Sequence, residues 1–412
     1  MMSWSRRSCG AVLFASLAVA SAAQATEASL AVTIVPELRW SNSSSVFDQP
    51  SLGLSFGRDR ARADIELQWR SSGVNLVATG RASVREGERA QYTGIANELY
   101  WDGEAFDQHI TLGRKIMSWD VGFGFRPLDV LQRDDRRALF ASTYEGVPVI
   151  AWERFNESSA WTVAYANPGA GTGGSPRDDE SLAARYYHHV ENIDFYVIGR
   201  VSKRLGLEAG MAATFVAKDS LELHGSVRYQ RRLDRALNRD AEGQTALPGD
   251  APFMLVTSHD RFTALAGATW TNANGLSVLG EWWYDPAAYS VSEWRNLFGL
   301  ARRYEGLLQS AGAPPENIGA ALAAGTQYLE RPNLLRQNLL LRISHQRETF
   351  QRSLDVLWTP EDGGIVATLS LAYGWNRQHV SAGLRAFGGA SDAAYRALPE
   401  DTVLFCAWGI SW

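Results

Sequence analysis

The chain has 412 residues, of which 45% are apolar, 21% charged and 11% aromatic, and its formal net charge is −5. Substantial charge at an ordinary apolar fraction excludes a polytopic helical membrane protein, and the many aromatic and β-branched residues exclude a disordered chain. The acidic balance argues against broad nucleic-acid binding, so we expect no nucleic-acid partner.

The first 25 residues have the features of a secretory signal peptide. Arg6 and Arg7 form a positively charged start, a short apolar run follows, and an Ala-Gln-Ala cleavage sequence ends at Ala25. The apolar run is too short to span a membrane as a helix, which takes about 20 residues. We therefore expect cleavage after Ala25 and an exported protein comprising residues 26–412.

Residues 61–70 (ARADIELQWR) alternate between apolar and polar side chains at every position. Successive side chains of a strand point to opposite faces, so this segment predicts a strand with one apolar and one charged face. Segments 30–40, 207–215 and 221–229 repeat the pattern. Runs of ten or more residues have the length that a tilted membrane-crossing strand requires.

The exported chain divides into eighteen predicted strands, and sixteen is the alternative count. The predicted strands are 28–40, 51–70, 73–85, 90–101, 107–116, 146–155, 159–167, 182–190, 193–203, 206–218, 220–231, 260–271, 276–285, 334–347, 351–360, 364–375, 377–388 and 401–412. Long connections follow only odd-numbered strands, and the gaps after even-numbered strands are short. An outer-membrane barrel with both termini in the periplasm requires this sorting. The predicted fold is therefore all-β, a transmembrane antiparallel up-and-down β-barrel.

The aromatic residues and the end of the chain carry a resemblance to a known class. Trp40, Trp101 and Trp375 lie at predicted strand ends, where amphipathic rings favour the membrane–water boundary. An alternating apolar strand closes on Trp412, which resembles the assembly signal of Gram-negative outer-membrane β-barrels. In size, the chain is similar to the large porin-like barrels, which include substrate-selective porins and the alginate-export type, and no diagnostic substrate motif matches either.

The resemblance implies a location and partners. We expect the protein to lie in the outer membrane of a Gram-negative bacterium, among outer-membrane lipids, after insertion by the barrel-assembly machinery. The oligomeric state, the transported solute and the direction of transport are left open.

A barrel of this size encloses water, a folded-in loop, or both. Charged residues fall on the faces assigned to the lumen, because a basic residue at mid-depth on the lipid face costs about 2–4 kcal/mol. A slight cationic excess there favours anionic solutes; alternatively, the charges pair across neighbouring strands and only keep the wall polar. The predicted pore-lining wall residues are Arg62, Asp64, Glu66, Arg81, Arg228, Arg342 and Arg385.

The third external connection, 117–145, is a candidate constriction loop. It mixes charged residues with Phe123, Phe125, Leu128 and Leu131, so it is too apolar to extend freely into water. Folded into the barrel, it would pack its apolar side on one wall and present both charge signs to the pore, as the third loop of porins does. The alternative is a lid over the mouth. The predicted constriction residues are Asp120, Arg126, Asp129, Arg133, Asp134, Asp135, Arg136 and Arg137.

Residues 286–333 predict an external helical loop. Apolar residues recur at helical spacing between residues 292 and 310, and Pro314-Pro315 separates them from a second run of small residues. This insertion would either cap the mouth or bind a ligand.

His379 and Ser381 carry the case for an enzyme. Two residues apart on one strand face, they resemble the histidine–serine pair of outer-membrane phospholipases. The phospholipase barrel is smaller, its histidine–serine pair faces lipid, and a further group orients its histidine. Here the face shared by His379 and Ser381 is predicted to be lumenal. We expect neither enzymatic activity nor a cofactor. We also expect no metal site, because no cluster of histidines and carboxylates has metal-ligand spacing.

Together these features predict a passive channel for small polar solutes with a mild anion preference. The alternatives are an exporter of an anionic polysaccharide, an outer-membrane lipid hydrolase using His379 and Ser381, and a non-conducting structural or receptor barrel.

Overall fold

The computed structural model describes residues 27–48, 58–105, 108–132, 144–168, 179–238, 253–309, 315–326, 329 and 331–412. The predicted signal peptide lies outside the described residues, and so do five predicted constriction residues, namely Arg133, Asp134, Asp135, Arg136 and Arg137. Neither helix in these ranges is long and apolar enough to cross a membrane.

Eighteen strands and two helices make up the regular structure of the described residues. The strands are β1 (Glu27–Ser41), β2 (Arg60–Ser71), β3 (Val74–Arg85), β4 (Gln91–Ala105), β5 (Gln108–Lys115), β6 (Val147–Phe155), β7 (Ser159–Ala166), β8 (Ser181–Val190), β9 (Ile193–Ser202), β10 (Gly206–Lys218), β11 (Leu221–Asn238), β12 (Phe253–Thr271), β13 (Leu276–Tyr284), β14 (Gln337–Arg347), β15 (Phe350–Thr359), β16 (Gly364–Trp375), β17 (Gln378–Gly389) and β18 (Glu400–Ser411). Between β13 and β14 lie α1 (Val291–Gln309) and α2 (Pro315–Thr326).

The sheet closes on itself. Each strand pairs antiparallel with its neighbours in the chain, and β1 also pairs with β18. At this seam, Val32 lies opposite Ile410, and the N–H of Trp412 donates to the carbonyl of Leu30 at 2.9 Å. Closure gives every strand two hydrogen-bonded neighbours, which a structure in hydrocarbon requires. The predicted antiparallel barrel of eighteen strands is confirmed.

The two faces of the barrel differ as the alternation predicts. On β2, Ile65 and Leu67 are 49% and 41% exposed on the outside, whereas Asp64 points inward and pairs with Arg81 of β3. The outward positions of β1, β9, β16 and β18 carry further exposed apolar side chains, among them Ile34, Val201, Leu369 and Leu404. A continuous apolar belt around a polar interior is the arrangement of a transmembrane barrel.

Connections are sorted by length between the two ends of the barrel. Those after even-numbered strands span two to four residues, for example 191–192 and 272–275, and form the short-turn end. The longest, 116–146 and 285–336, follow β5 and β13 and lie at the long-loop end, as the sequence predicts.

The hairpin of β11 and β12 differs from its predicted length. Sequence alternation placed the strand ends at 231 and 260, but the ladder continues to the pair Asn238 and Phe253. Backbone hydrogen bonds carry the strands on, while apolar–polar alternation stops because the outer part of this hairpin lies beyond the apolar belt.

The described residues contain two clusters of buried apolar side chains. One joins the third loop to the inner wall of the barrel and is described below. The other is a helical cap at the long-loop end, where Trp294 and Tyr304 of α1 and Leu322 of α2 pack with Phe47 and Tyr395 from other loops. The cap also contacts wall residues, so the predicted external helical insertion covers part of the mouth.

Candidate channel and constriction

The third loop folds into the barrel and lies against its inner wall. Trp119, Leu128 and Val130 of the loop are at most 5% exposed. They pack on small and branched wall residues of β6 to β10, namely Val147, Val149, Ala151, Ala164, Ala166, Ala183, Ile198 and Ala212. These apolar wall positions on β6 to β10 match the apolar side of the loop, which explains why the loop packs on this side. The predicted inward-folded loop is confirmed.

The tip of the loop crosses to β13, where a buried carboxylate holds it. The N–H groups of Phe123 and Gly124 each donate to Glu281 at 2.7 Å, one to Oε1 and the other to Oε2. His224 of β11 places its Nε2 2.9 Å from Glu281 Oε1, and the Glu281 side chain is fully buried. The tip is thereby fixed across the lumen from the loop's own strands.

A glycine permits this close approach. A Cβ at Gly124 would lie 2.6 Å from Leu340 Cδ2 of β14 and 3.1 Å from Glu281 Oε2. Any larger residue would push the tip away from the wall. Nearby, the ring of Phe125 stacks on Trp283 with centroids 5.8 Å apart.

Asp120 and Asp129 shape the loop from within. Asp129 accepts hydrogen bonds from the N–H of Trp119 at 2.6 Å and from the hydroxyl of Ser118 at 3.0 Å. Asp120 accepts from the N–H of Val121 at 2.7 Å and from the N–H of Leu128. Both residues belong to the constriction loop, but their carboxylates serve its backbone rather than the open pore.

Burial perturbs both carboxyl groups. Burial raises the pKa of Asp129 to about 6, although the Trp119 N–H and the charge of Arg126 act in the opposite direction. Burial likewise raises the pKa of Asp120, against the hydrogen bonds from Leu128 and Val121. The loop's packing on the wall is therefore coupled to protonation.

Arg126 links the ends of the loop's turn. Its Nε donates to the carbonyl of Gly122 at 2.9 Å, and its Nη1 donates to the hydroxyl of Ser118 at 2.5 Å. The guanidinium is partly exposed, so it carries a positive charge at the loop surface.

The lumen contains a cavity of about 470 Å³ between the loop tip and the inner faces of β14 to β18. Phe123 and Gly124 bound it on the loop side, and Asn333 and Tyr395 bound it near the cap. Two predicted pore residues, Arg342 and Arg385, line this cavity.

The remaining predicted wall residues lie elsewhere on the inner face. Arg81 forms a two-pronged pair with Asp64, with Nε–Oδ1 and Nη2–Oδ2 distances of 2.8 and 3.0 Å, and Arg62 lies 3.2 Å from the same carboxylate. Glu66 accepts a hydrogen bond from Gln68 at 2.8 Å. Arg81 and Asp64 pair across neighbouring strands, whereas Arg62 and Glu66 contact partners on their own strand, β2. Charges that pair along the wall were the alternative to a role in selectivity.

Arg228 belongs to a separate, buried network. Its Nη2 donates to Gln230 at 3.0 Å, and Gln230 in turn donates to Glu208, which also pairs with Arg200. The Arg228 side chain is 7% exposed, so it supports the wall rather than facing the open cavity.

Glu281 and His224 have a role that sequence reasoning missed. Glu281 is not among the predicted pore-lining residues, yet it is the group that fixes the loop tip. The two hydrogen bonds join Glu281 to residues that lie 158 and 157 positions earlier in the chain. No local spacing in the sequence predicts them. The inward position of Glu281 on a strand opposite the loop was the only available hint.

His379 and Ser381 both face the lumen but do not form a pair. Ser381 lines the cavity, whereas the His379 ring lies over Gly409, where a Cβ would collide with its Cε1. Among the described residues, neither side chain hydrogen-bonds to the other, and no group of three His, Cys, Asp or Glu residues is arranged to hold a metal ion.

The closed antiparallel cylinder, its apolar outside and its inward-folded third loop define a porin-like β-barrel, a fold typical of Gram-negative outer membranes. Searches with protein-family models and of curated proteins give no match. Among solved structures, the chain is similar to several mutants of the porin of Rhodopseudomonas blastica. One of these mutants is 12% identical with a TM-score of 0.43, and another is 12% identical with a TM-score of 0.42. Each alignment covers 94% of this chain and 100% of the porin chain. This likeness is too distant to transfer any property of those porins.

Proposed function

We propose that the protein is a passive outer-membrane channel for small polar solutes, with a mild preference for anions. The observation that carries the proposal is the partial filling of the lumen. The third loop packs on β6 to β10 and contacts β13, and it leaves a cavity of about 470 Å³ that is lined by charged, polar and apolar side chains of β14 to β18. A porin narrows its water-filled lumen in the same manner.

The anion preference follows from the charges that border the cavity. Arg342, Arg385 and Asp355 line it, and two arginines with one aspartate give a net charge of +1. Walls of low dielectric constant focus this charge on the solute path.

Single-channel recording in planar bilayers tests the proposal. We expect stable current steps in potassium chloride, and under a salt gradient we expect a zero-current potential whose sign reports chloride selectivity. Folded protein that inserts without conducting would exclude the channel, and a cation-selective current would exclude the anion preference. A liposome-swelling series across sugars, organic acids and oligouronates would then define the solute size and separate the channel from a polysaccharide exporter.

The route to the membrane is part of the proposal. Residues 1–25 would direct export, and the barrel-assembly machinery would insert the barrel among outer-membrane lipids. Fractionation of cells that express the full chain should place the protein in the outer membrane, with a mature N-terminus at Thr26.

A further inference from the structure

The wall of the cavity is organised in rows that run across the strands. An outer row is apolar and comprises Leu340, Leu357, Val366 and Phe387, which are neighbours in the ladders of β14 to β17. The next row towards the short-turn end is charged and polar. It comprises Arg342, Asp355, Thr368 and Arg385 in direct register. All eight side chains line the same cavity.

The charged row is held in place by its own hydrogen bonds. Arg342 Nη1 lies 3.0 and 2.8 Å from the two carboxylate oxygens of Asp355. Arg385 Nε donates to the hydroxyl of Thr368 at 2.9 Å. A guanidinium has five N–H donors in a planar fork, and Asp355 engages a single nitrogen of Arg342. Arg342 therefore keeps donor capacity facing the cavity, and the four side chains of the row sum to a net charge of +1.

Apolar side chains adjoin the charged row on two sides. The guanidinium of Arg342 lies over the ring of Phe123, with its Cζ 5.0 Å from the ring centroid. The outer row lies directly beside the arginines on the side of the mouth. A ligand at the arginines would thus have its remaining atoms against rings and aliphatic side chains.

These features select one class of solute. Guanidinium groups bind planar carboxylates by parallel, charge-assisted hydrogen bonds, and a net charge of +1 matches one carboxylate. A purely hydroxylated acid would place polar groups against the apolar outer row, part of which also packs against the helical cap. The volume lies within the roughly 300–1,000 Å³ of typical small-molecule sites.

We propose that the cavity against β14 to β17 is a binding site for a monoanionic carboxylate that carries a compact aromatic or aliphatic body. The carboxylate binds between Arg342 and Arg385, and the apolar body lies against the outer row and Phe123. The inference names a preferred solute of the proposed channel and rests on that function for transport, although binding itself is measurable without conduction.

Benzoate and its neutral analogue benzamide test the site in two assays. In planar bilayers, we expect benzoate to reduce the chloride current in a saturable manner, with benzamide at least about tenfold weaker, as expected for the loss of charge-assisted hydrogen bonds. Equilibrium dialysis of radiolabelled benzoate against detergent-folded protein measures the same binding directly.

Two variants and a matched control locate the site. Arg385→Gln should weaken benzoate binding about 10- to 100-fold, the range for one lost charge-assisted hydrogen bond, and Arg342→Gln should act in the same direction if Arg385→Gln does not fold. Arg185→Gln is the control, because Arg185 lies on β8, behind the third loop, over the ring of Tyr196. This control removes the same charge from the barrel and should leave benzoate binding within about twofold.

The outcomes separate this inference from the channel function. Folded protein that binds benzoate but does not conduct supports the site and excludes the channel. A conducting protein that binds benzoate no better than benzamide overturns the site alone. Equal weakening by Arg385→Gln and Arg185→Gln also overturns it, because the effect would then come from the overall field of the lumen.

Discussion

At the scale of single residues, the constriction depends on a few buried carboxylates that bind backbone N–H groups. Glu281 accepts from the loop tip, while Asp120 and Asp129 accept from the loop's own backbone. A buried N–H without an acceptor costs about 1–3 kcal/mol, so each of these groups fixes the position of a segment that has few other polar contacts.

Glu281→Gln should release the loop tip. The amide turns a donor towards one of the two N–H groups of Phe123 and Gly124 and leaves it unsatisfied, at a cost of about 1–3 kcal/mol. We expect larger single-channel conductance with more current noise. Glu153→Gln is the control, because Glu153 is a carboxylate of β6 that bonds Thr162 on the neighbouring strand. Conductance and noise equal to those of the wild type would contradict the proposal that Glu281 holds the loop tip.

Asp129 should make the packing of the loop depend on pH. Its pKa lies at about 6 in the packed loop, above the ordinary 3.8, so the packed loop binds the proton more tightly than a released loop. Packing is then most stable below pH 3.8 and loses up to about 3 kcal/mol as the pH rises through 6.

Hydrogen exchange of residues 116–132 measures this dependence. Protection, corrected for the intrinsic exchange rate, should fall between pH 4 and pH 7. Asp129→Asn should flatten the fall, and Asp120 should keep a part of it because burial raises its pKa in the same direction. An equal slope in variant and wild type would show that Asp129 is not the group responsible.

At the scale of elements, the inner wall and the loop fit each other. The wall of β6 to β10 replaces charged side chains by alanine, valine and glycine where the loop lies. Gly210 of β10 is one such place, since a Cβ there would be 2.5 Å from Leu128 Cδ2 and 2.6 Å from the carbonyl oxygen of Val227.

Gly210→Ala should displace the loop from the wall. The new Cβ would collide with Leu128 of the loop and with the carbonyl oxygen of Val227, so Leu128 must shift and the pairing of β10 with β11 is strained. Overpacking of this kind costs about 1–3 kcal/mol. We expect faster hydrogen exchange in residues 116–132. Gly199→Ala on the adjacent β9 is the control, because its Cβ would have nothing within 4 Å. Unchanged exchange in Gly210→Ala would mean that the loop is not held by this contact.

Helix α1 is joined to the barrel through its first turn. Ser290 and Glu293 form a capping box, in which the Ser290 N–H donates to Glu293 at 2.7 Å. Arg235 of β11 also donates to Glu293 at 2.6 Å, and Arg336 does so at 3.1 Å. Burial opposes ionisation, but these bonds outweigh it and hold the pKa of Glu293 below its usual 4.5.

Acid should therefore loosen the cap. A lowered pKa contributes stability that is present above pH 4.5 and is lost as the pH falls through the folded-state value. Glu293→Gln should loosen α1 by about 1–2 kcal/mol at neutral pH and remove the acid effect, as measured by hydrogen exchange of residues 291–309. Glu316→Gln, at an exposed position in the first turn of α2, should change neither. Equal protection of α1 in both variants would exclude this role of Glu293.

At the scale of the whole molecule, closure and assembly are distinct requirements. The seam between β1 and β18 has a long ladder, of which Trp412 contributes only the last backbone contacts, to Leu30. We propose a second role for Trp412, in recognition by the insertion machinery, because the last strand resembles the assembly signal of outer-membrane β-barrels.

Deletion of Trp412 should separate these roles. We expect nearly normal refolding in detergent, because most of the seam is intact, but a much lower yield of folded protein in the outer membrane of cells. Trp412→Phe is the control and should assemble normally, since it keeps a terminal aromatic residue. Equal losses in detergent and in cells would mean that Trp412 acts through stability rather than recognition.

The candidate site was only partly accessible to sequence reasoning. Loop 117–145 was expected to fold inward because it is apolar and is the third external connection, and Arg342 and Arg385 were placed on the inner face by alternation. The hydrogen bonds from the loop tip to Glu281 join residues far apart in the sequence, and the register of Arg342 with Asp355 depends on how β14 pairs with β15. The capping box at Ser290 and Glu293 was a local signal that could have set the start of α1.

Local patterns were sufficient to predict the number of strands, the face of each side chain and the end of the barrel at which each loop lies. These follow from a period of two and from connection lengths, both of which are local properties of the chain. The wall that the third loop contacts and the position of the cavity in the lumen depend on tertiary contacts. Closing the cylinder brings residues more than a hundred positions apart within hydrogen-bond distance, and no local pattern records that neighbourhood.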